Sequence, residues 1–559
     1  MKNFALRFIP LCSLMVFASV SLNSCNNNDE DPNKFYVKVG AKDGAMGIKW
    51  LPEIKEAFEE KYKDYTDPAY PNKKGVVVKG IASNSFGGST LLKTKNLNCD
   101  CYFTEDVRYL EFIANDLLLD ITDVITEPNK FDSIDETTGK NKTILSKMHS
   151  GMPEFLNIGT KENPKYYALP YVDSFQGFIF DYELFDREGY FLKSDGKTFG
   201  AKSTDDDLFI GRDGIKGTYD DGLPASYTQF DNLCSYIESN GIQAKKAVGY
   251  PNQNARSYCD WALRNVWTTY DGYDNCVLNF NLDGTLSKEY IHNGTADINI
   301  TSSNGYEMFK TEGKYQAMHF GRDFLRSHVN TNLCGNQECE VKLIETIHNT
   351  QPPENRVAMI IDGAWFEIEC KEWIDIDDPE KGKLGRNFAF MPIPVEDSVY
   401  EKEKASNTPR KQALYCGNQM FVIPSKSTKY PELTKDFLRF THTDWALSNY
   451  SKNISMARSF KYELTDEDKE KSSFYTKYLI KYCNASDIIY PYSQSQGFSD
   501  NAEIFNAGIF PFKTSDSQQF MFDYFIATDP NRTAEEHFNK SCATYKSDWI
   551  GKESNIGGY

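Results

Sequence analysis

Phe35-Tyr36-Val37-Lys38-Val39, the segment Trp50 to Tyr62, and Gly75-Val76-Val77-Val78-Lys79-Gly80-Ile81 decide the fold class of this chain. The first and third segments are short apolar runs rich in valine, which predicts strands. Between them Leu51, Ile54, Phe58 and Tyr62 recur at three- and four-residue spacing, which predicts a helix with one buried face. A further helical stretch and then Asp100 to Thr104, a third strand, continue the alternation. Strands alternating with helices predict an α/β fold with a mostly parallel sheet. Helices cover both faces of such a sheet, and ligands bind beyond the carboxyl ends of its strands.

Upstream of this unit, Asn26 to Asn33 is polar and acidic and reads as a flexible tether. Before it, Lys2 and Arg7 supply a positive start and Phe8 to Val20 an apolar run too short to span a membrane as a helix. The run ends in Ser21-Leu22-Asn23-Ser24-Cys25, which resembles a bacterial lipobox. That resemblance implies a signal peptide over 1–24, lipidation of Cys25 as the new N-terminus, and a protein tethered to the cell membrane on its extracellular or periplasmic side. An ordinary secretory signal that happens to contain a cysteine is the alternative.

The 559 residues have room for two or three domains. Without the signal, 60 basic residues face 80 acidic ones, a net charge of −20, which argues against nucleic acid and anionic lipid surfaces as partners. Seven scattered histidines argue against a transition-metal carrier. Tyr and Trp, at 34 and 7, offer flat faces with polar edges, although most are expected in the core. Of the 13 cysteines, Cys334 and Cys339 are spaced to close a small loop, and Cys99 and Cys101 read as unpaired residues of the core and its entry.

Farther along, Tyr227 to Ser239 predicts a helix stopped at Gly241, and Asn279 to Ser303 predicts short strands and turns around Asp283-Gly284. Thr533 with Glu536 makes a capping box. Phe538, Cys542, Tyr545 and Trp549 form one stripe on the helix that follows. Asp213-Gly214-Ile215-Lys216-Gly217-Thr218-Tyr219-Asp220-Asp221-Gly222, preceded by Asp205, Asp206 and Asp207, resembles short calcium loops of extracellular proteins. Asp213, Asp220 and Asp221 are its candidate ligands for a structural calcium; a solvated acidic loop is the alternative.

Four strings in order resemble the carbohydrate-type extracellular solute-binding proteins of ABC importers, the maltose-binding-protein-like family. The first is Cys101-Tyr102-Phe103-Thr104-Glu105-Asp106-Val107 with Leu117-Leu118-Leu119-Asp120-Ile121-Thr122-Asp123. The second is Tyr166-Tyr167-Ala168-Leu169-Pro170-Tyr171 with Gly177-Phe178-Ile179-Phe180-Asp181-Tyr182-Glu183-Leu184-Phe185. It departs from the family at Ala168, where a glycine is usual, and at Asp181-Tyr182, where Tyr-Asn is usual. The third is Val357-Ala358-Met359-Ile360-Ile361-Asp362-Gly363-Ala364-Trp365, continued by Phe390-Met391-Pro392-Ile393-Pro394. The fourth is Gly417-Asn418-Gln419-Met420-Phe421-Val422-Ile423-Pro424 and a helix from Leu433 to Phe440.

The resemblance implies a two-lobed, type II periplasmic-binding-protein-like fold. Each lobe is a mixed, mostly parallel sheet flanked by helices, with the ligand cleft at the hinge. Residues 35–172 with 418–455 make one lobe, and 173–417 with 456–559 the other. It further implies a monomer that performs no catalysis, captures a carbohydrate (an oligosaccharide) and passes it to an ABC transporter permease. No cofactor is required. The excess length falls in the second lobe.

A sugar demands paired hydrogen bonds from Asp, Asn, Gln, Glu or Arg, and stacking from Trp or Tyr. The strand-to-helix turns select Asn84 and Ser85, and Glu105 and Asp106. The lobe crossover selects Tyr171, Asp173, Ser174 and Gln176, and the later strings Asp362, Trp365 and Asn418. Trp365 either stacks on ligand or packs its own lobe, and Asp362 is either a contact or a turn residue before Gly363. Tyr250 to Tyr258, ahead of Trp261, is either cleft wall or exposed loop.

Two other classes compete. A secreted glycan-processing enzyme needs two carboxylates fixed across a cleft, and no motif selects such a pair. A helical-repeat glycan-binding outer-membrane lipoprotein needs repeats, and none is visible.

Overall fold

The computed structural model describes residues 30–44, 46–203, 207–249, 256–330, 343, 356–374, 377–378, 382–383, 387–417, 420–490, 513–514, 517–518 and 531–556. The strands that matter are β1 Phe35–Ala41, β2 Val76–Ala82, β3 Cys101–Thr104, β4 Leu169–Pro170, β5 Gln176–Asp181, β6 Lys246–Gly249, β7 Val329–Asn330, β8 Val357–Gly363, β9 Phe388–Phe390, β10 Ala413–Tyr415, β11 Phe421–Pro424 and β12 Asp487–Ile489. The helices that cover them include α1 Leu51–Lys61, α2 Tyr227–Asn240, α3 Arg256–Asn281, α4 Phe366–Ile374, α5 Pro431–Thr441, α6 Asp444–Ile454, α7 Phe474–Asn484 and α8 Ala534–Ile556.

Alternation along β1 puts Phe35, Val37 and Val39 fully inside, and α1 closes over them with Leu51, Ile54 and Phe58. β1 pairs in parallel with both β2 and β3. β5 and β8 are buried along their whole length, as their unbroken apolar runs require of strands covered on both faces.

Two five-stranded sheets result, in the orders β2-β1-β3-β11-β4 and β7-β6-β8-β5-β9. They share one plan. Three parallel strands are followed by an antiparallel one, and that strand is the first after a crossing. β5 begins as the chain leaves the first sheet at β4. β11 begins as it returns. This is the mixed, mostly parallel arrangement expected, repeated in two lobes.

Three stretches, 171–175, 416–417 with Met420, and 455–460, lie side by side between the sheets. The Tyr171 N–H donates to the Met420 carbonyl at 3.1 Å, and the Asp173 N–H to the Ala457 carbonyl at 3.1 Å. Val172 bridges Arg458 in antiparallel fashion. β10 and β12 form a small parallel pair close to these crossings.

The capping box at Thr533 and Glu536 is present, and Phe538, Tyr545 and Trp549 are buried along α8. α2 is capped by Ser226 with Gln229 and ends at Gly241, whose hydrogen sits where a Cβ would lie 2.0 Å from the Ala244 carbonyl oxygen. α3 breaks at Gly272, whose φ of 69° is open to glycine, so its first half is aimed independently of its second. Cys99 and Cys101 are buried. Cys25, Cys334 and Cys339 lie outside the described residues. Among the described residues no helix is long and apolar enough to cross a membrane.

Candidate functional site

A cavity of about 580 Å3 lies between the sheets, against the crossing segments, in the size range of small-molecule sites. The first lobe supplies Lys42 and Asp43, just past β1, and Phe103, Glu105 and Asp106 at the end of β3. The second supplies Tyr258 and Trp261 from the first turns of α3, and Trp365 and Glu369 after β8. Tyr171, Gly417 and Met420 of the crossings make the floor. The parallel strands β1, β3 and β8 contribute from their carboxyl ends, as α/β topology dictates, and the antiparallel β11 from its amino end at Met420.

Trp365 is held by its own strand. A Cβ on Gly363 would stand 2.3 Å from the indole Cζ2, so only glycine lets the ring lie back over the end of β8. The Ala364 N–H donates to the Phe175 carbonyl at 2.9 Å, and the Tyr475 hydroxyl donates to the Ala364 carbonyl at 2.9 Å. Trp365 meets Tyr258 edge to face, with centroids 5.7 Å apart. The guanidinium of Arg264 backs Trp261 at 5.7 Å.

Across the cleft, Phe103 packs edge to face on Tyr171 at 5.4 Å and is supported from behind by Trp50 at 4.4 Å. Burial pushes the Tyr171 phenol up to about 12, so it stays protonated, and it accepts from the Tyr450 hydroxyl at 3.0 Å. Lys42 is ion-paired with Glu105, and the Ser89 hydroxyl donates to the Asp106 carboxylate. Asp106 has a φ of 57°, which turns the loop back against Gly88.

Glu105, Asp106, Tyr171 and Trp365 are therefore brought together as the sequence suggests. Others are placed elsewhere. Asn84 and Ser85 are exposed in the turn after β2, and β2 is the edge strand of its sheet, farthest from the crossings. Asp173, Ser174 and Gln176 are fully buried in the hinge and are not among the residues that line the cavity. Asp173 accepts from the Ser459 hydroxyl at 2.7 Å and faces His149 at 3.3 Å. The Gln176 carbonyl accepts from the Asn265 amide at 2.6 Å. Asp362 is neither a wall residue nor a turn residue: it is buried inside β8, paired with Gly177, and its Oδ1 accepts the Gly363 N–H at 2.6 Å. Asn418 and residues 250–255 lie outside the described residues, while Gly417, Met420 and Tyr258 beside them line the cavity.

Sequence reasoning did not select Lys42, Asp43 or Glu369. β1 runs to Ala41, two residues past its predicted end, so the turn rule applied to its true end leads to Lys42 and Asp43. Glu369 is four residues after Trp365, one helical turn on, and shares its face.

The acidic loop is closed by its own donors. Asp220 accepts the N–H groups of Arg212 and Asp213 at 2.8 and 3.1 Å and the Thr218 hydroxyl at 2.7 Å. Asp221 accepts the Gly217 N–H at 2.6 Å, and Asp213 that of Ile215 at 2.7 Å. Burial, then the neighbouring charge of Asp220, raises the Asp213 carboxyl above its ordinary range. Asp205 and Asp206 lie outside the described residues, and among those described no cluster of three or more His, Cys, Asp or Glu side chains is gathered as metal ligands.

The apo form of RafE from Streptococcus pneumoniae superposes with a TM-score of 0.52 and 12% identity, over 93% of this chain and 99% of that one. The chain has the RafE fold. Solute-binding protein RafE in complex with raffinose gives a TM-score of 0.49 at 13% identity, over 92% and 99% of the two chains. The GacH receptor of Streptomyces glaucescens, solved unliganded and in complex with acarbose, gives 0.47 at 11%, over 92% and 98%. No protein-family model and no curated relative matches the sequence.

Proposed function

We propose that this protein is an extracellular carbohydrate-binding receptor that closes two lobes on its ligand and performs no catalysis. The observation that carries the reading is the cavity itself. Aromatic side chains face it from both lobes and the hinge, Phe103 and Tyr171 opposite Tyr258, Trp261 and Trp365, with carboxylates between them. Aromatic faces suit the apolar faces of sugar rings, and carboxylates accept from their hydroxyls. RafE, whose fold the chain shares, is a solute-binding protein. Hinge closure about three crossing segments suits capture and release.

The receptor is a monomer that hands its oligosaccharide to an ABC transporter permease. A lipid on Cys25 holds it at the membrane beside that permease, raising its effective concentration there. An acylated N-terminal peptide in the mass spectrum is the readout for the tether. The reading is tested by thermal melting of the soluble chain, cut after Cys25, against a panel of neutral, amino and acidic oligosaccharides. One class is expected to raise the melting temperature, since a ligand of the native state stabilises it, and none is expected to be turned over. No shift with any glycan, or hydrolysis of one, overturns the reading. A calcium ion in the Asp213–Gly222 loop is part of the proposal, and a chelator is expected to lower the same melting temperature; indifference to chelator removes the metal.

A further inference from the structure

The charges on the cavity wall carry a selectivity that goes beyond glycan binding and rests on it. Asp43, Glu105, Asp106 and Glu369 reach the wall, against Lys42 as the cation among the described lining residues. Lys42 is already ion-paired with Glu105. The partner of Asp106 is the neutral Ser89 hydroxyl, which steadies the carboxylate without cancelling its charge. No arginine lines the wall among the described residues. Two guanidiniums stand behind it. Arg264 is stacked on Trp261 and Tyr415. Arg458 is buried behind Phe103 and Tyr171, and the buried carboxylate of Asp173 lies on the adjoining crossing segment, hydrogen-bonded to the next residue, Ser459. Beside Arg458 the crossing segments therefore hold two buried carboxylates, Asp173 and Glu367, the latter accepting from the Ser455 hydroxyl at 2.6 Å, and the wall presents an excess of negative charges.

In a closed cleft these carboxylates act at reduced dielectric and are weakly screened by salt. A ligand hydroxyl donates to them. A ligand ammonium gains both the carboxylates and the aromatic faces. A ligand carboxylate or sulfate meets like charge and finds no free cation among the described wall residues.

We propose that the cleft selects by charge, admitting glycans that are uncharged or carry an amino group and rejecting uronates and sulfated sugars. Calorimetry on the soluble chain with maltotriose, raffinose, tri-glucosamine and tri-galacturonate tests it. At least one of the first three is expected to bind, with tri-galacturonate at least thirtyfold weaker than the best of them. Asp43→Asn combined with Asp106→Asn is expected to narrow that gap at least tenfold, and 0.5 M salt to narrow it by less. Tri-galacturonate binding as tightly as the best neutral or amino probe overturns the selectivity and leaves the glycan-receptor reading standing. A gap unchanged in the double variant overturns the assignment of the selectivity to these carboxylates. Binding of none of the four overturns the selectivity, and the receptor reading falls with it only if no glycan of the wider panel raises the melting temperature.

Discussion

Alanine at Trp365 is expected to weaken binding of the stabilising oligosaccharide by at least tenfold, on the order of 1.4 kcal/mol. The ring lies on the cavity wall with 8% of its surface exposed, so most of it is spent on the protein and a limited part on ligand. Two costs follow and must be separated. Truncating a buried Trp costs about 3–5 kcal/mol of folding stability, read by urea denaturation without ligand. Loss of stacking is read as affinity, by fluorescence or calorimetry under conditions where the variant is folded. Trp365→Phe keeps a π face and is expected to recover part of the affinity. Gly363→Ala acts through the same ring, because its Cβ would displace the indole, and is expected to shift affinity in the same direction. An affinity unchanged in folded Trp365→Ala would assign the indole to packing alone and leave stacking to Trp261 and Tyr258.

Local rules reached the strands and part of the site because those features are local. The valine runs of β1 and β2, the helix face of α1 and the turn after β3 each lie within a dozen residues of sequence. The hinge does not. Asp173 meets Ser459 across 286 positions, and Arg458 meets Tyr171 across 287. A polar residue at a crossover therefore reads as ligand-facing until its distant partner is known. Asp173, Ser174 and Gln176 are turned into the hinge for this reason, while Tyr171 among them reaches the cavity. The charge on the wall was illegible for a related reason. Asp43 and Asp106 sit past different strands, and their approach to Glu369 depends on how two sheets face each other.

Methionine at Arg458 is expected to lower stability by about 1–3 kcal/mol, because it removes charge-assisted hydrogen bonds and leaves their buried acceptors, the Tyr171 carbonyl and His442 Nε2, without a donor. Arg458 is 0% exposed. Its Nε donates to the Tyr171 carbonyl at 2.7 Å, and a terminal nitrogen donates to His442 Nε2 at 2.8 Å. Rings surround it, Tyr450 at 5.0 Å, Tyr171 at 5.6 Å, and Phe103 and Phe460 at 5.8 Å. Burial lowers its pKa, but a guanidinium stays charged, held by π faces and acceptors rather than by a direct carboxylate. Burial, and then Arg458, hold His442 well below its ordinary value, so it is neutral and its Nε2 accepts. A depressed folded-state value means that the stability tied to His442 is present above its unfolded pKa of about 6.5 and is lost as pH falls below it. Arg458→Met removes one cause of that depression, so its acid slope is expected to be shallower than that of the unaltered protein. The second variant, Arg458→Met with Asp173→Asn, also removes the buried carboxylate of the adjoining crossing segment and is expected to recover part of the loss. Because Tyr171 and Phe103 form the cavity floor against this guanidinium, affinity for the oligosaccharide should fall with Arg458→Met and return in part with the pair. A loss below about 1 kcal/mol in urea, with an unchanged acid slope, would show that the aromatic cage needs no cation and that the hinge is held by its backbone pairing alone.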